Sequence, residues 1–170
     1  MLETHDKVES VYLDFAKAFD KVDHHILLNK LAVLGITGKL HNWITIFLKN
    51  RKQVVIVNGI SSSSAWVTSG VPQGSVIGPL LFLIMMQDIT QNVMSSKLSS
   101  FADDTRLWYP ADTNIMYTAF QQDLDIIYNW AKANNMEFNS SKFESITFGP
   151  QAQATNNKNN TLVNSVGTKI

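Results

Sequence analysis

Two adjacent carboxylates, Asp103 and Asp104, fall between two strand-like runs and are the first residues in the chain placed to do chemistry. Lys97-Leu98-Ser99-Ser100-Phe101-Ala102 alternates as a half-buried strand does, and Thr105-Arg106-Leu107-Trp108-Tyr109 is rich in β-formers and closes at Pro110. The pattern predicts a hairpin with both acids at its bend. Aspartate is a favoured turn residue, so the pair taken alone is explained by a solvated turn. A third acid changes the reading. Val11-Tyr12-Leu13-Asp14-Phe15 is a short apolar strand with a carboxylate near its end, where a buried, unpaired charge is costly. If the two strands are neighbours, Asp14 meets Asp103 and Asp104. Three such carboxylates repel one another and are tolerated best around a divalent cation. Oxygen donors in a chain without cysteine point to magnesium or manganese.

The elements that must position these acids can be read from periodicity. Ile26, Leu27, Leu31 and Leu34 predict a helix over residues 24–34, with Asp23 as its N-cap and Gly35 at its end. Thr37 opens a second helix whose stripe, Leu40, Trp43, Ile44, Phe47 and Leu48, is expected in the core. Residues 52–57 form a β-run ended by Asn58-Gly59, and 65–68 its return strand across a loop of four serines. Ser69-Gly70-Val71-Pro72-Gln73-Gly74-Ser75 then leads into an apolar helix expected over 76–86. Exposed amides at such a helix start can cradle phosphates or a nucleic-acid strand, and serve equally as a structural turn. A third long helix is expected over 114–134, with Tyr117, Phe120, Leu124, Ile127 and Ala131 on one face. Residues 136–138 and 145–148 are short strand candidates, and the Asn/Gln-rich residues 151–160 read as loop or disorder.

Composition bounds the rest. A chain of 170 residues, 45% hydrophobic, can bury one ordinary core. Fourteen basic residues balance fourteen acidic ones, so any nucleic-acid contact must be local or supplied elsewhere. The apolar run from 76 to 86 contains Gly78 and Pro79 and is too short to span a bilayer. The absence of cysteine leans toward an intracellular setting. Of the four histidines, His24 and His25 are adjacent on a helix and His5 and His41 stand alone, so they form no ligand set.

From about residue 11 to 150 the chain resembles the reverse transcriptase palm of non-LTR (LINE-type, jockey- or CR1-like) retrotransposons. Leu13-Asp14-Phe15-Ala16-Lys17-Ala18-Phe19-Asp20 resembles the first palm motif of that family, the run from Ser69 to Leu80 the second, and Phe101-Ala102-Asp103-Asp104 the catalytic hairpin. Asn139 and Lys142 ahead of Phe148-Gly149 resemble a shorter fourth motif. Met85-Met86-Gln87-Asp88 departs from a stretch usually closer to Tyr-Ile-Asn-Asp.

The resemblance implies an α+β polymerase palm, an antiparallel sheet with helices at 24–34, 76–87 and 113–134 packed on one face. Residues 1–150 are then a partial reverse transcriptase domain and 151–170 a loop or the start of a truncated C-terminal part. Fingers and thumb are expected to be largely absent. The implied activity is RNA-directed DNA synthesis by two-metal nucleotidyl transfer, with two Mg²⁺ or Mn²⁺ ions, an RNA template, a DNA primer and deoxynucleoside triphosphates, and no membrane. Asp14 and Asp103 would hold the ions, with Asp104 alongside and the Phe15 carbonyl as a further ligand. Phe19 matches the bulky position that excludes a ribose 2′-hydroxyl, and without the motif reads as a core phenylalanine. Gln73 and Gly74 would lie against template and incoming base. Lys142 either neutralises or protonates the pyrophosphate or is a solvated surface lysine. Two other readings compete: a truncated, catalytically inactive retroelement remnant with at most weak nucleic-acid binding, and a palm-type nucleotidyl cyclase. The cyclase shares the acids but does not predict the Val71-Pro72-Gln73-Gly74 loop.

Overall fold

Strand β1 (Val8–Leu13) carries Val8, Ser10, Val11 and Leu13 buried, the pattern of a strand covered on both faces and therefore central in its sheet. In the computed structural model, which describes residues 6–101, 104–139 and 142–149, that is its position. The chain divides into two units, Met1–Ala16 with Asp88–Ile170, and Lys17–Gln87.

The first unit is built on a four-stranded antiparallel sheet. Its strands are β1, β6 (Lys97–Phe101), β7 (Asp104–Pro110) and β8 (Glu144–Phe148), in the order β6-β7-β1-β8. Helix α5 (Asn114–Ala133) begins behind Thr113, whose Oγ1 accepts from the Met116 amide. It buries Phe120, Leu124, Ile127 and Ala131, and the Phe120 ring stacks 3.6 Å from that of Tyr109 on β7. Tyr117, expected on the same buried face, is exposed. Ile115 near the start of α5 is exposed as well, and the buried stripe begins at Phe120. Residues 136–138 do not form a strand. Their one ladder contact is the bridge Phe15↔Phe138, because only two backbone bonds, Ala16 N–H to Glu137 O and Asn139 N–H to Asp14 O, join the segments. The tail from residue 150, where loop or disorder is expected, lies outside the described residues.

The second unit holds α1 (Ala18–Lys21), α2 (His24–Val33), α3 (Gly38–Leu48), four two-residue strands and α4 (Gly78–Met86). Asp23 caps α2 as expected, accepting from the His25 and Ile26 amides at 2.8 and 3.1 Å. The α3 stripe is a correction to the sequence reading. Ile44 and Leu48 are buried, whereas Leu40 and Trp43 are 54% and 52% exposed. α3 lays one seam against α2, and Trp43 stacks on its neighbour Phe47 at 5.6 Å instead of entering the core.

The hairpin that follows is also revised. β2 (Lys52–Gln53) pairs with β5 (Ala65–Trp66), and β3 (Ile56–Val57) with β4 (Ile60–Ser61). The turn is therefore Asn58-Gly59, both at positive φ, as a type I′ turn requires. The serines belong to the return arm, where Ser62 exchanges hydrogen bonds with the Val55 backbone. Helix α4 starts at Gly78, two residues later than expected. The Ser75 hydroxyl accepts from the Gly78 amide and donates to Pro72 O, so a turn precedes the helix.

Candidate active site

The β1/β7 register runs from Val8↔Pro110 to Leu13↔Thr105. Asp14 follows the last β1 residue of that ladder, and Asp104 precedes its β7 partner as the first residue of β7. Both acids therefore lie at the same end of the β1/β7 pair, Asp14 just past the ladder and Asp104 at the start of β7. Asp103, with Ala102, lies outside the described residues. Among the described residues no group of three or more His, Asp or Glu side chains could hold a metal ion.

The backbone around Asp14 is fixed by its neighbours. Its carbonyl accepts from Asn139 N–H at 2.8 Å, and two residues on Ala16 N–H donates to Glu137 O at 2.8 Å. These bonds flank Phe15, whose own carbonyl takes no part in the bridge. The Phe15 ring is buried, stacked 4.5 Å from Phe138 and edge-on to Trp130 at 6.2 Å. An apolar anchor one residue past Asp14 thus limits where that carboxylate can go.

Lys142 reaches the same place. Its Nζ lies 3.2 Å from Asp14 Oδ2, with the lysine side chain 63% and the aspartate side chain 17% exposed. The Lys142 amide donates to Asn139 O, whose own amide is bonded to the Asp14 carbonyl. The motif resemblance implies a role for Lys142 at the pyrophosphate, whereas its ion pair with Asp14 has no signal in the sequence. Asp14 and Asp104 offer carboxylate oxygens, the hard donor type that suits Mg²⁺ or Mn²⁺, and Lys142 is ion-paired with Asp14.

The remaining motif residues belong to the second unit. The Phe19 ring stacks on Phe82 at 4.4 Å, so one face of it is committed to packing. Gln73 Nε2 donates to Asp20 Oδ1 at 3.0 Å. Gly74 has φ +77°, and a Cβ there would meet nothing, so conformation rather than crowding calls for glycine. Gly70 is crowded as well, since a Cβ would sit 2.9 Å from the Asp20 backbone. His24 Nε2 and Arg51 Nη2 both hydrogen-bond the Gly70 carbonyl, at 2.8 and 3.2 Å. With Gly70 N–H on Val22 O and Val71 N–H on Phe19 O, the loop is lashed to the motif that carries Phe19. His24 and Arg51 are structural ties that the sequence did not reveal.

Two further buried polar groups lie in the sheet unit. Asp123 is 2% exposed and accepts three successive backbone N–H groups, from Met94 at 2.9 Å, Ser95 at 2.9 Å and Ser96 at 2.7 Å. It thereby fixes the chain just ahead of β6. The signal was legible: an acid at helical spacing from Phe120 and Ile127, on the buried face of α5. The Tyr109 hydroxyl donates to Glu9 Oε2, and burial first, then Glu9, pushes its pKa above the ordinary tyrosine value.

An antiparallel sheet with neighbouring strands that each bring an acid to one end, backed by a helix, is the architecture of a polymerase palm. The family profile described as "Reverse transcriptase (RNA-dependent DNA polymerase)" matches residues 3–166, and the chain belongs to that family of RNA-directed DNA polymerases. Its relatives are non-LTR retrotransposon proteins. The RNA-directed DNA polymerase from mobile element jockey of Drosophila funebris is 34% identical over 155 residues, 86% of this chain and 17% of the relative. The probable RNA-directed DNA polymerase from transposon X-element of Drosophila melanogaster is 32% identical over 144 residues, 82% of this chain and 16% of the relative. The chain thus spans about a sixth of the length of these relatives. Among solved structures it is similar to apo telomerase from Candida tropicalis, with TM-score 0.66, 10% identity, and 90% of this chain and 30% of that one covered. Telomerase from Candida albicans, solved with a TWJ fragment of telomeric RNA, gives TM-score 0.64 at 12% identity over 96% of this chain and 32% of that one. At such identities the likeness speaks for the fold.

Proposed function

We propose that this chain supplies the catalytic palm of an RNA-directed DNA polymerase working by two-metal nucleotidyl transfer. The observation that carries the proposal is the β1/β7 register, which ends at Leu13↔Thr105, so that Asp14 and Asp104 are the next residue on each strand at that end. By the motifs, Asp14 and Asp103 would hold two Mg²⁺ ions, with Asp104 alongside and the Phe15 carbonyl as a further ligand. When bound, those ions activate the primer 3′-hydroxyl and stabilise the departing pyrophosphate.

The chain's own residues do the rest. Phe15, wedged between Phe138 and Trp130, keeps the Asp14 carboxylate at the strand end. Lys142, paired with Asp14 and with its side chain 63% exposed, is the cation that would neutralise the charge developing on the leaving pyrophosphate. The Phe19 ring is backed by Phe82 and resists displacement by a ribose 2′-hydroxyl, which favours deoxynucleotides. Gln73, oriented by Asp20, and Gly74 would lie against template and incoming base. The substrates are an RNA template, a DNA primer and deoxynucleoside triphosphates, gripped by the fingers and thumb of a parent polypeptide. Such gripping matters, because alignment contributes about 7–11 kcal/mol of the barrier in reactions of this kind.

The test is primer extension on an RNA template with Mg²⁺, by the chain alone and by the chain grafted in place of the matching segment of a full-length jockey-type polymerase. The graft should extend the primer, and Asp14→Asn or Asp104→Asn should abolish extension. A graft that extends equally well with either substitution would refute the assignment.

A further inference from the structure

The zero net charge of the chain conceals a separation between its two units. Lys17–Gln87 contains seven Lys or Arg and two Asp, whereas the remainder contains seven and twelve acids. No Asp or Glu occurs between residues 24 and 87. Both acids of the basic unit have structural tasks, Asp23 as the cap of α2 and Asp20 as acceptor of Gln73. Two of its cations are spent on backbone carbonyls: Lys30 donates to Met85 O, and Arg51 to Leu48 O and Gly70 O.

Lys39, Lys49 and Lys52 are different. All three are exposed and fall within one stretch of α3 and the hairpin after it. On α3, Lys39 lies at i, i+4, i+7 spacing from exposed Trp43 and Ile46. Arg51 ties the hairpin base to the end of α3, and Lys52 holds its ammonium 4.4 Å over the Trp66 ring, itself 62% exposed. Cations interleaved with exposed aromatic rings, unopposed by any acid in the same stretch, complement a polyanion with stackable bases.

We infer that residues 39–66 form a contact surface for a nucleic-acid backbone, in a unit separate from the one that carries Asp14 and Asp104. Lys39, Lys49 and Lys52 contact phosphates without reading sequence, and Trp66 offers a ring for a base. Taking nucleic acid as the polyanion rests on the polymerase reading. The surface deepens it by assigning to the palm chain a grip of its own, independent of metal.

The experiment measures binding of a labelled single-stranded RNA by fluorescence anisotropy, with EDTA present and no triphosphate, across a salt series. The combined variant Lys39→Gln, Lys49→Gln, Lys52→Gln should bind on the order of a hundredfold more weakly at 0.1 M salt, with a log–log salt slope shallower by about 2. A charge-matched control, Lys7→Gln, Lys97→Gln, Lys132→Gln, removes the same charge from the other unit and should bind within about twofold of wild type, unlike the hundredfold loss of three phosphate contacts. Trp66→Ala should weaken binding roughly tenfold with the slope unchanged, as loss of a stacked base would. Equal losses in the two triple variants would reduce the effect to net charge and overturn the inference. So would an unchanged slope in the first, or binding to phosphatidylserine vesicles but not to RNA. Because no catalysis is read, this measurement and the primer-extension test fail independently.

Discussion

Removing the Asp123 carboxylate should loosen the sheet at the start of β6, the strand that leads to the hairpin acids. The side chain is 2% exposed and receives three backbone N–H groups, two on Oδ2 and one on Oδ1. Hydrogen bonds to a charged group contribute about 1.5–3 kcal/mol each. Met94 and Ser95 are exposed, so water can reach the freed amides and the low end applies. Asp123→Ala should therefore cost about 3–5 kcal/mol, a large part of the stability of an ordinary domain. Asp123→Asn keeps one oxygen, which can retain the two bonds now made by Oδ2, while its NH₂ confronts the Met94 amide. That variant should lose about 1.5–3 kcal/mol. Urea unfolding followed by tryptophan fluorescence gives both values, and hydrogen exchange at Ser95 and Ser96 localises the change. An Asp123→Ala protein within about 1 kcal/mol of wild type, less than one charged hydrogen bond, would refute the reasoning.

Three further outcomes follow from the packing. Trp43→Ala should cost only about 1 kcal/mol, against the 3–5 kcal/mol typical of a buried aromatic, because half of the side chain is exposed; denaturant midpoints decide between the two. Gly70→Ala should cost at least about 2 kcal/mol in the same assay, from positive φ together with a clash against the Asp20 backbone. Tyr109 has a folded-state pKa raised above its ordinary 10.0. Its contribution is therefore complete below pH 10.0 and is lost as pH rises beyond it. Relative to Tyr109→Phe, wild-type stability should fall by up to about 1.4 kcal/mol per pH unit above that point. A constant difference between the two proteins from pH 8 to 11 would count against it.

Strand alternation made the sheet legible, including the β6–β7 hairpin and the strand that ends before Asp14. Period-two patterns report which side of a strand is covered, and the β1 and β7 runs had little else they could be. The α3 stripe misled because periodicity shows that a helix face is apolar without showing what covers it, and α2 covers only the Ile44 and Leu48 seam. The serine run has the composition of a loop, yet Asn58-Gly59, the stronger turn signal, closes the hairpin. Contacts that join distant segments, Lys142 with Asp14, Asp123 with residues 94–96 and His24 with Gly70, depend on tertiary approach that no local pattern encodes. The charge separation was present in the sequence throughout, but it acquires meaning only once Lys17–Gln87 is known to fold as a unit.

The most direct test of a metal centre at the β1/β7 end is calorimetric titration of the chain with Mn²⁺, beside Asp14→Asn and Asp104→Asn. Wild type should bind the ion and each variant should bind it markedly more weakly, with circular dichroism spectra unchanged. Equal Mn²⁺ affinity in all three proteins would contradict the assignment of these acids as metal ligands.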